Sequence, residues 1–251
     1  MSNLIKKIVL VVATSAIAEH CARLWIKNKK IDLTLIGRNR ERLEKVARDL
    51  AVRNSESVVR VCEADFTNPI RIQELVNKIV SEGAVHTVLI AHGFLSDQAV
   101  CQENLAACHE SLVVNGISPL LFLEAFAGHM QKVNMGTLAI IGSVAGDRGR
   151  KSNYVYGAAK GMIERYVQGL QHRLARDNVK VILIKPGPTD TPMTSHLKLQ
   201  SKRLASVEGV AKIIVKGIEQ GKTIIYAPFK WSLIMGIIKY LPRFIFNRME
   251  I

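Results

Sequence analysis

With 251 residues, 48% hydrophobic and 22% charged, the chain has the balance of one large α/β domain with a sizeable core, which excludes a disordered polymer. Its formal charge of +14 asks for an anionic partner or surface; nucleic acid is not expected, because no zinc finger, recognition helix or aromatic RNA-binding pattern is present. Cys21, Cys62, Cys101 and Cys108 lack C-x-x-C spacing and do not cluster with histidines, which argues against a disulfide framework and leaves no metal site to expect.

The first apolar run, KIVLVVA (7–13), has strand length and passes into a polar turn, so it reads as a buried strand and not as a cleaved signal, and a cytoplasmic location is expected. The turn after it, VVATSAIAEH, offers the small residues Ala13, Ser15, Ala16 and Ala18, with Thr14 and Ile17 between them. A helix beginning near Ser15 presents free N–H groups and a positive dipole end to a pyrophosphate. Val12, Ala16 and Ala18 stand where a glycine-rich fingerprint has Gly. A helix is predicted over 15–27.

The second strand, 31–36, ends at Gly37 and Arg38. An acid there would bond a ribose 2′-hydroxyl and repel a 2′-phosphate; Gly37 removes that repulsion and Arg38 can pair with the phosphate, so NADP (NADPH) is expected over NAD. Strand-like runs follow at 57–62, 86–91, 137–143, 179–184 and 223–228, and helical patterns at 39–53, 68–82, 102–132, 153–176 and 207–220. Strands apolar on both faces that alternate with helices predict a doubly wound α/β fold, a parallel sheet of about seven strands covered on both sides. The rhythm is unbroken over 1–228, with a loop region at 189–206 and an apolar, basic extension at 229–251.

Tyr156 and Lys160 lie one helical turn apart, after a strand that ends at Ser143. An ammonium beside a phenol favours the ionised phenol, so Lys160 is expected to lower a pKa ordinarily near 10 and make Tyr156 a proton carrier. Between Ser143 and Tyr156, the loop AGDRGRKSN places Arg148, Arg150 and Lys151 at the mouth of that site, which suits an anionic substrate; Arg148 and Arg150 are the substrate contacts expected.

In the extension the longest uncharged run, 231–238, is far short of the roughly 20 residues that span a bilayer. Trp231, Tyr240, Phe244 and Phe246 beside Lys230, Lys239, Arg243 and Arg248 suit peripheral contact with the inner face of a membrane, or packing over the substrate pocket. Pro242 should kink or end a helix there.

These pieces, in this order, resemble the short-chain dehydrogenase/reductase family from about residue 6 to 228. The resemblance implies a Rossmann fold and an NADP-preferring enzyme with Asn115, Ser143, Tyr156 and Lys160 as its catalytic set. It implies that Tyr156 is the general acid for carbonyl reduction, that Ser143 steadies the substrate oxygen and that Asn115 anchors a water chain feeding Lys160. Cofactor contacts are implied at Asp65, which would take the adenine amine, and at Phe66, Ala91, His92, Gly93, Pro186, Gly187, Thr189 and Thr191. It further implies a homodimer or homotetramer through the fourth and fifth helices, where LLFLEAFA is apolar. The departures ATSAIAE and AHG are similar to a branch that includes the reductase subunit of the decaprenylphosphoryl-ribose epimerase, and suggest a keto-sugar on a polyprenyl phosphate. A soluble reductase of small carbonyls or acyl-carrier-linked ketones, and a non-catalytic NADP-binding sensor or scaffold, are the alternatives.

Overall fold

The computed structural model describes residues 5–27, 29–195 and 204–249, so 196–203 of the predicted loop region lie outside the described residues. Its strands are β1 (Lys6–Val11), β2 (Ile31–Gly37), β3 (Val58–Glu63), β4 (Thr87–Ile90), β5 (Gly136–Ile141), β6 (Val179–Pro186) and β7 (Ile224–Ala227). They form one sheet in the order β3-β2-β1-β4-β5-β6-β7, with every neighbouring pair parallel. The two-residue period of a strand divides the side chains between two cores. Ile8, Leu10, Leu33 and Leu35 face one side, under α1 (Ala16–Ile26), α2 (Arg40–Arg53) and α8 (Val207–Glu219); Val9, Val11, Val88 and Ile90 face the other. That second face is covered by α3 (Pro69–Ser81), α6 (Ser118–Lys132) and α7 (Tyr154–Arg173).

The helix predicted over 102–132 is broken. Asn104 ends α4 (Gln98–Glu103), and its side chain caps α5 (Leu105–Leu112) by accepting from Ala106 N and Ala107 N. A π-turn, Val113–Ile117, joins α5 to α6. The run 105–132 has the length and hydropathy of a membrane span, but Phe122, Leu123, Phe126 and Ala127 are fully buried against the sheet, which makes it a core element. Asp32, at the start of β2, pairs with Arg60 at the opposite end of the sheet from the cleft.

The extension folds back onto the domain. Its helices α9 (Lys230–Tyr240) and α10 (Arg243–Phe246) are separated at Leu241 and Pro242, the break that proline imposes. Met235 is buried beneath α9.

A buried ionic triad ties three elements together below the sheet's C-terminal edge. Lys185 of β6 pairs with Asp147, in the loop after β5, and at 2.9 Å with Glu164 of α7. Burial works against the Lys185 ammonium, but hydrogen bonds to the two carboxylates outweigh it and raise its pKa above the ordinary value. Removing the cation leaves two buried acids facing each other, so Lys185→Met is expected to cost about 3–5 kcal/mol of unfolding free energy, measured by urea denaturation. A loss below about 1 kcal/mol would show that the triad holds nothing together.

Candidate active site

The strand order reverses between β1 and β4, and a cleft of about 380 Å³ opens beyond the C-terminal ends of the strands at that point. Thr14, Ser15, Ala16 and Ile17 at the start of α1, Arg38 after β2, and Ala91, His92 and Gly93 after β4 line one part of it. Ser143, Arg150, Tyr156, Lys160, Pro186, Gly187, Thr189 and Thr191 line the rest. Ser15, the N-cap of α1, makes no side-chain cap bond, whereas Asn39, Asn68 and Ser206 cap α2, α3 and α8. The first turn of α1 therefore keeps N–H groups for a ligand. Val12 has φ +61°, the left-handed backbone that glycine adopts without cost, so valine here takes the conformation of the residue it replaces. Hydrogen bonds from Ser15 N to Val12 O (2.9 Å) and from Ala13 N to Ile36 O (3.0 Å) hold it there.

Ser143, Tyr156 and Lys160 meet because the turn Val144–Gly146 lies directly on α7. A β-carbon on Gly146 would sit 2.9 Å from Gly161 N, and one on Gly157 would sit 3.0 Å from Ala145 O. Ser143 Oγ accepts from Ala145 N at 3.1 Å, leaving its own O–H to donate. Lys160 is 2% exposed, and its Nζ donates to His92 O (3.0 Å) and Ile141 O (3.1 Å), 5.7 Å from the Tyr156 ring centroid.

The electrostatics differ from the expectation. Burial pushes the Tyr156 phenol up to about 12, with Ser143 pulling the other way, and burial brings Lys160 down to about 7. Lys160 does not lower Tyr156, because a site this enclosed disfavours both the phenolate and the ammonium. His92 is neutral: burial, then the nearby Lys160 and Arg38, hold it well below the usual imidazole range. Its Nε2 lies 3.0 Å from Ser118 Oγ, while Nδ1 is buried without a partner.

Several expected contacts are placed elsewhere. Ala13 points into the core beside Ile8 and Leu10, because the left-handed turn at Val12 ends the alternation of β1, and the cleft is lined by Thr14 instead. Phe66 is also a core residue, stacked 5.0 Å from the His92 ring and 5.2 Å from Phe122, so it supports the cleft from below. Asp65 lies outside the cleft lining and closes a local turn by accepting from Thr67 N and Oγ1, bonds that lower its pKa. The Asn115 side chain clamps Phe94, accepting from its N–H (2.8 Å) and donating to its carbonyl (2.7 Å), so it shapes the loop after β4. Arg148 leaves the mouth altogether: it donates to Ile238 O and Leu241 O, both at 2.6 Å, and stacks on Phe246 at 3.8 Å. In its place Trp231 of α9 lines the cleft, with its indole packed on Gly187 so closely that no side chain would fit there. Leu95 and Met193 are further apolar walls that the sequence pattern did not single out.

The Lys160 value has a consequence for stability. Between pH 7 and 10.5 the unfolded chain holds a proton that the folded Lys160 has lost, so stability from this group rises with pH across that window. The wild type is expected to gain stability relative to Lys160→Met as pH rises, with one lysine titrating near pH 7 by NMR of the isotope-labelled protein. Titration of Lys160 at the ordinary lysine value would contradict the burial argument.

Among known proteins, the chain is similar to an uncharacterized oxidoreductase of Staphylococcus epidermidis, 28% identical over 222 residues that cover 88% of this chain and 94% of that one. An uncharacterized oxidoreductase of Streptomyces coelicolor is 28% identical over 95% of this chain and 93% of its own length. The fold matches a short chain dehydrogenase from Burkholderia cenocepacia solved in complex with NADP, at a TM-score of 0.83 and 18% identity over the whole of both chains. A short-chain dehydrogenase from Sphingobium yanoikuyae in complex with NADPH matches at a TM-score of 0.80 and 18% identity, over 95% of this chain and 97% of that one. The family model for short chain dehydrogenases matches residues 6–202, most of the chain and all of the cleft up to Thr191, and the protein belongs to that family of oxidoreductases.

Proposed function

We propose that this oxidoreductase is an NADPH-dependent carbonyl reductase whose substrate is an anionic or lipid-linked keto-sugar. The observation that carries the reaction type is the phenol of Tyr156, half-buried in the cleft beside Ser143, its pKa pushed up to about 12 by desolvation so that it is neutral at ordinary pH. A neutral phenol is a proton donor, which suits reduction of a carbonyl, since the oxygen must gain a proton as its carbon gains a hydride. Bound NADPH would supply that hydride. In this reading Tyr156 protonates the substrate oxygen, Ser143 donates a hydrogen bond to it, and Lys160, with two of its three N–H groups on His92 O and Ile141 O, offers the third to the cofactor's ribose. Asn115 acts through Phe94, by fixing the loop that carries His92 and Gly93.

The cleft fits a nicotinamide dinucleotide in two respects: α1 begins without a side-chain cap, and His92 Nδ1 is a buried polar atom with no protein partner. Arg38, at the cleft wall where the 2′-position is read, supports NADP over NAD, in keeping with the NADP and NADPH found in the two solved relatives. For the substrate, Arg150 is the informative residue. It lines the cleft, its Nε is buried without a partner, and burial lowers its pKa, so an incoming anion would relieve an under-solvated cation. The keto-sugar itself rests on the motifs ATSAIAE and AHG. The apolar walls Leu95, Met193 and Trp231 favour a second reading, a small apolar ketone.

Self-association through α5, α6 and α7 belongs to the same proposal. LLFLEAFA does not supply the interface, since Phe122, Leu123 and Phe126 are spent in the core; the large apolar or aromatic residues left exposed there are Leu105, Ile117, Tyr154 and Met162.

Two substitutions test the reading. Tyr156→Phe is expected to keep NADPH affinity while kcat for carbonyl reduction falls about 10²–10⁴-fold; unchanged turnover would remove Tyr156 from the chemistry. Arg38→Ala is expected to weaken NADPH binding about tenfold or more while leaving NADH binding unaltered. An unchanged ratio of the two dissociation constants in fluorescence titration would refute the role given to Arg38.

A further inference from the structure

The two faces of α9 have opposite fates. Trp231 and Met235 face inward, the first onto the cleft and the second into the protein. Phe229, Leu233, Ile237 and Tyr240, spaced three or four residues apart and so on one side of the helix, face outward, and Phe244 continues the stripe onto α10. All five are between 64% and 78% exposed. Single exposed apolar side chains are ordinary, whereas a stripe along one side of α9 that continues onto α10 forms a patch that needs a partner. Lys230, Lys239, Arg243 and Arg248 stand beside it, and 229–249 contains no acidic residue.

We infer that this face is a docking surface for an anionic phospholipid bilayer. Aromatic and aliphatic groups would enter the acyl boundary, while the four cations meet the headgroup phosphates. Charge argues against a second copy of the chain, because pairing the stripe with itself would bring four cations against the same four. The face is held in place from within: Arg148 grips the carbonyls of Ile238 and Leu241 and stacks on Phe246, while Trp231 wedges against Gly187. Docking through the outer face therefore sets the cleft, walled by the inner face of the same helix, beside the bilayer surface. The inference is independent of which carbonyl is reduced.

Flotation of the full-length protein with lipid vesicles tests it. Wild type is expected to float with phosphatidylcholine vesicles that contain phosphatidylglycerol, to release as salt rises, and to bind pure phosphatidylcholine vesicles weakly. Leu233→Glu with Ile237→Glu is expected to bind the anionic vesicles about tenfold less tightly or worse, with NADPH binding and thermal melting unchanged. The milder Leu233→Ser with Ile237→Ser should lose binding in the same direction, which guards against a folding defect in the first variant. Replacing Lys230, Lys239, Arg243 and Arg248 with Gln should abolish the preference for phosphatidylglycerol. Wild type that stays unbound at low salt, or Glu and Ser variants that float as well as wild type, would overturn the inference. So would stripe variants that turn an oligomer into a monomer when no form of the protein binds vesicles. No catalytic assay enters the test, so failure of the reductase proposal would leave these results standing.

Discussion

Everything in the cleft depends on a contact between two backbones. The turn Val144–Gly146 can rest on α7 only because Gly146, Gly157 and Gly161 carry no side chains where Ala145 O, Gly146 O and the Lys160–Gly161 peptide approach. That contact fixes Ser143 relative to Tyr156 and Lys160 without help from the long side chains themselves. The ionic triad holds the same junction from the other side: Asp147 closes the turn, Glu164 lies one helical turn beyond Lys160, and Lys185 ends the neighbouring strand. A glycine contact sets the distance and a buried charge cluster resists its change, so the geometry is over-determined.

Burial then decides the chemistry. In water an ammonium one turn from a phenol would help it ionise, but here Lys160 is buried and Tyr156 half-buried, and desolvation makes each harder to charge. The two carbonyls that accept from Lys160 are the partial compensation the fold supplies. A neutral donor beside a lysine able to gain or lose a proton near neutrality can pass a proton to or from an oxygen held in the cleft. His92 and Arg150 follow the same rule, each a polar group left short of partners by an enclosed site.

Much of this was legible in the sequence. Seven apolar runs separated by helical patterns gave the parallel sheet, and the i, i+4 spacing of Tyr156 and Lys160 after a strand ending at Ser143 gave the site. What escaped was whatever depended on direction or on distant partners. A two-residue count would place Ala13 with Val9 and Val11, but the left-handed backbone at Val12 ends the strand and turns Ala13 into the opposite core, which the residue pattern does not signal. Asn104 is a cap that could have been read as a helix start. Arg148 had no such signal, because its partners lie about 90 residues downstream in a segment whose packing the periodicity leaves open. The sign of the Tyr156 shift was hidden too, since depth of burial is a property of the assembled cleft.

Val12 and Trp231 mark the two places where this chain departs most from a plain nucleotide cleft. Valine at a left-handed position costs about 1–2 kcal/mol that glycine would not, yet its backbone keeps the turn that presents Thr14 to Ile17. The substitution therefore strains the loop without closing the cleft, and its methyl groups become part of the wall. Trp231 builds the opposite wall with a residue from beyond the last strand, so the substrate pocket is incomplete without the extension. Because Arg148 belongs to the loop between Ser143 and Tyr156 and also grips that extension, any force on α9 is felt within a few residues of the phenol. The wall of the cleft and the seating of the tail therefore share two contacts, Trp231 on Gly187 and the Arg148 clamp.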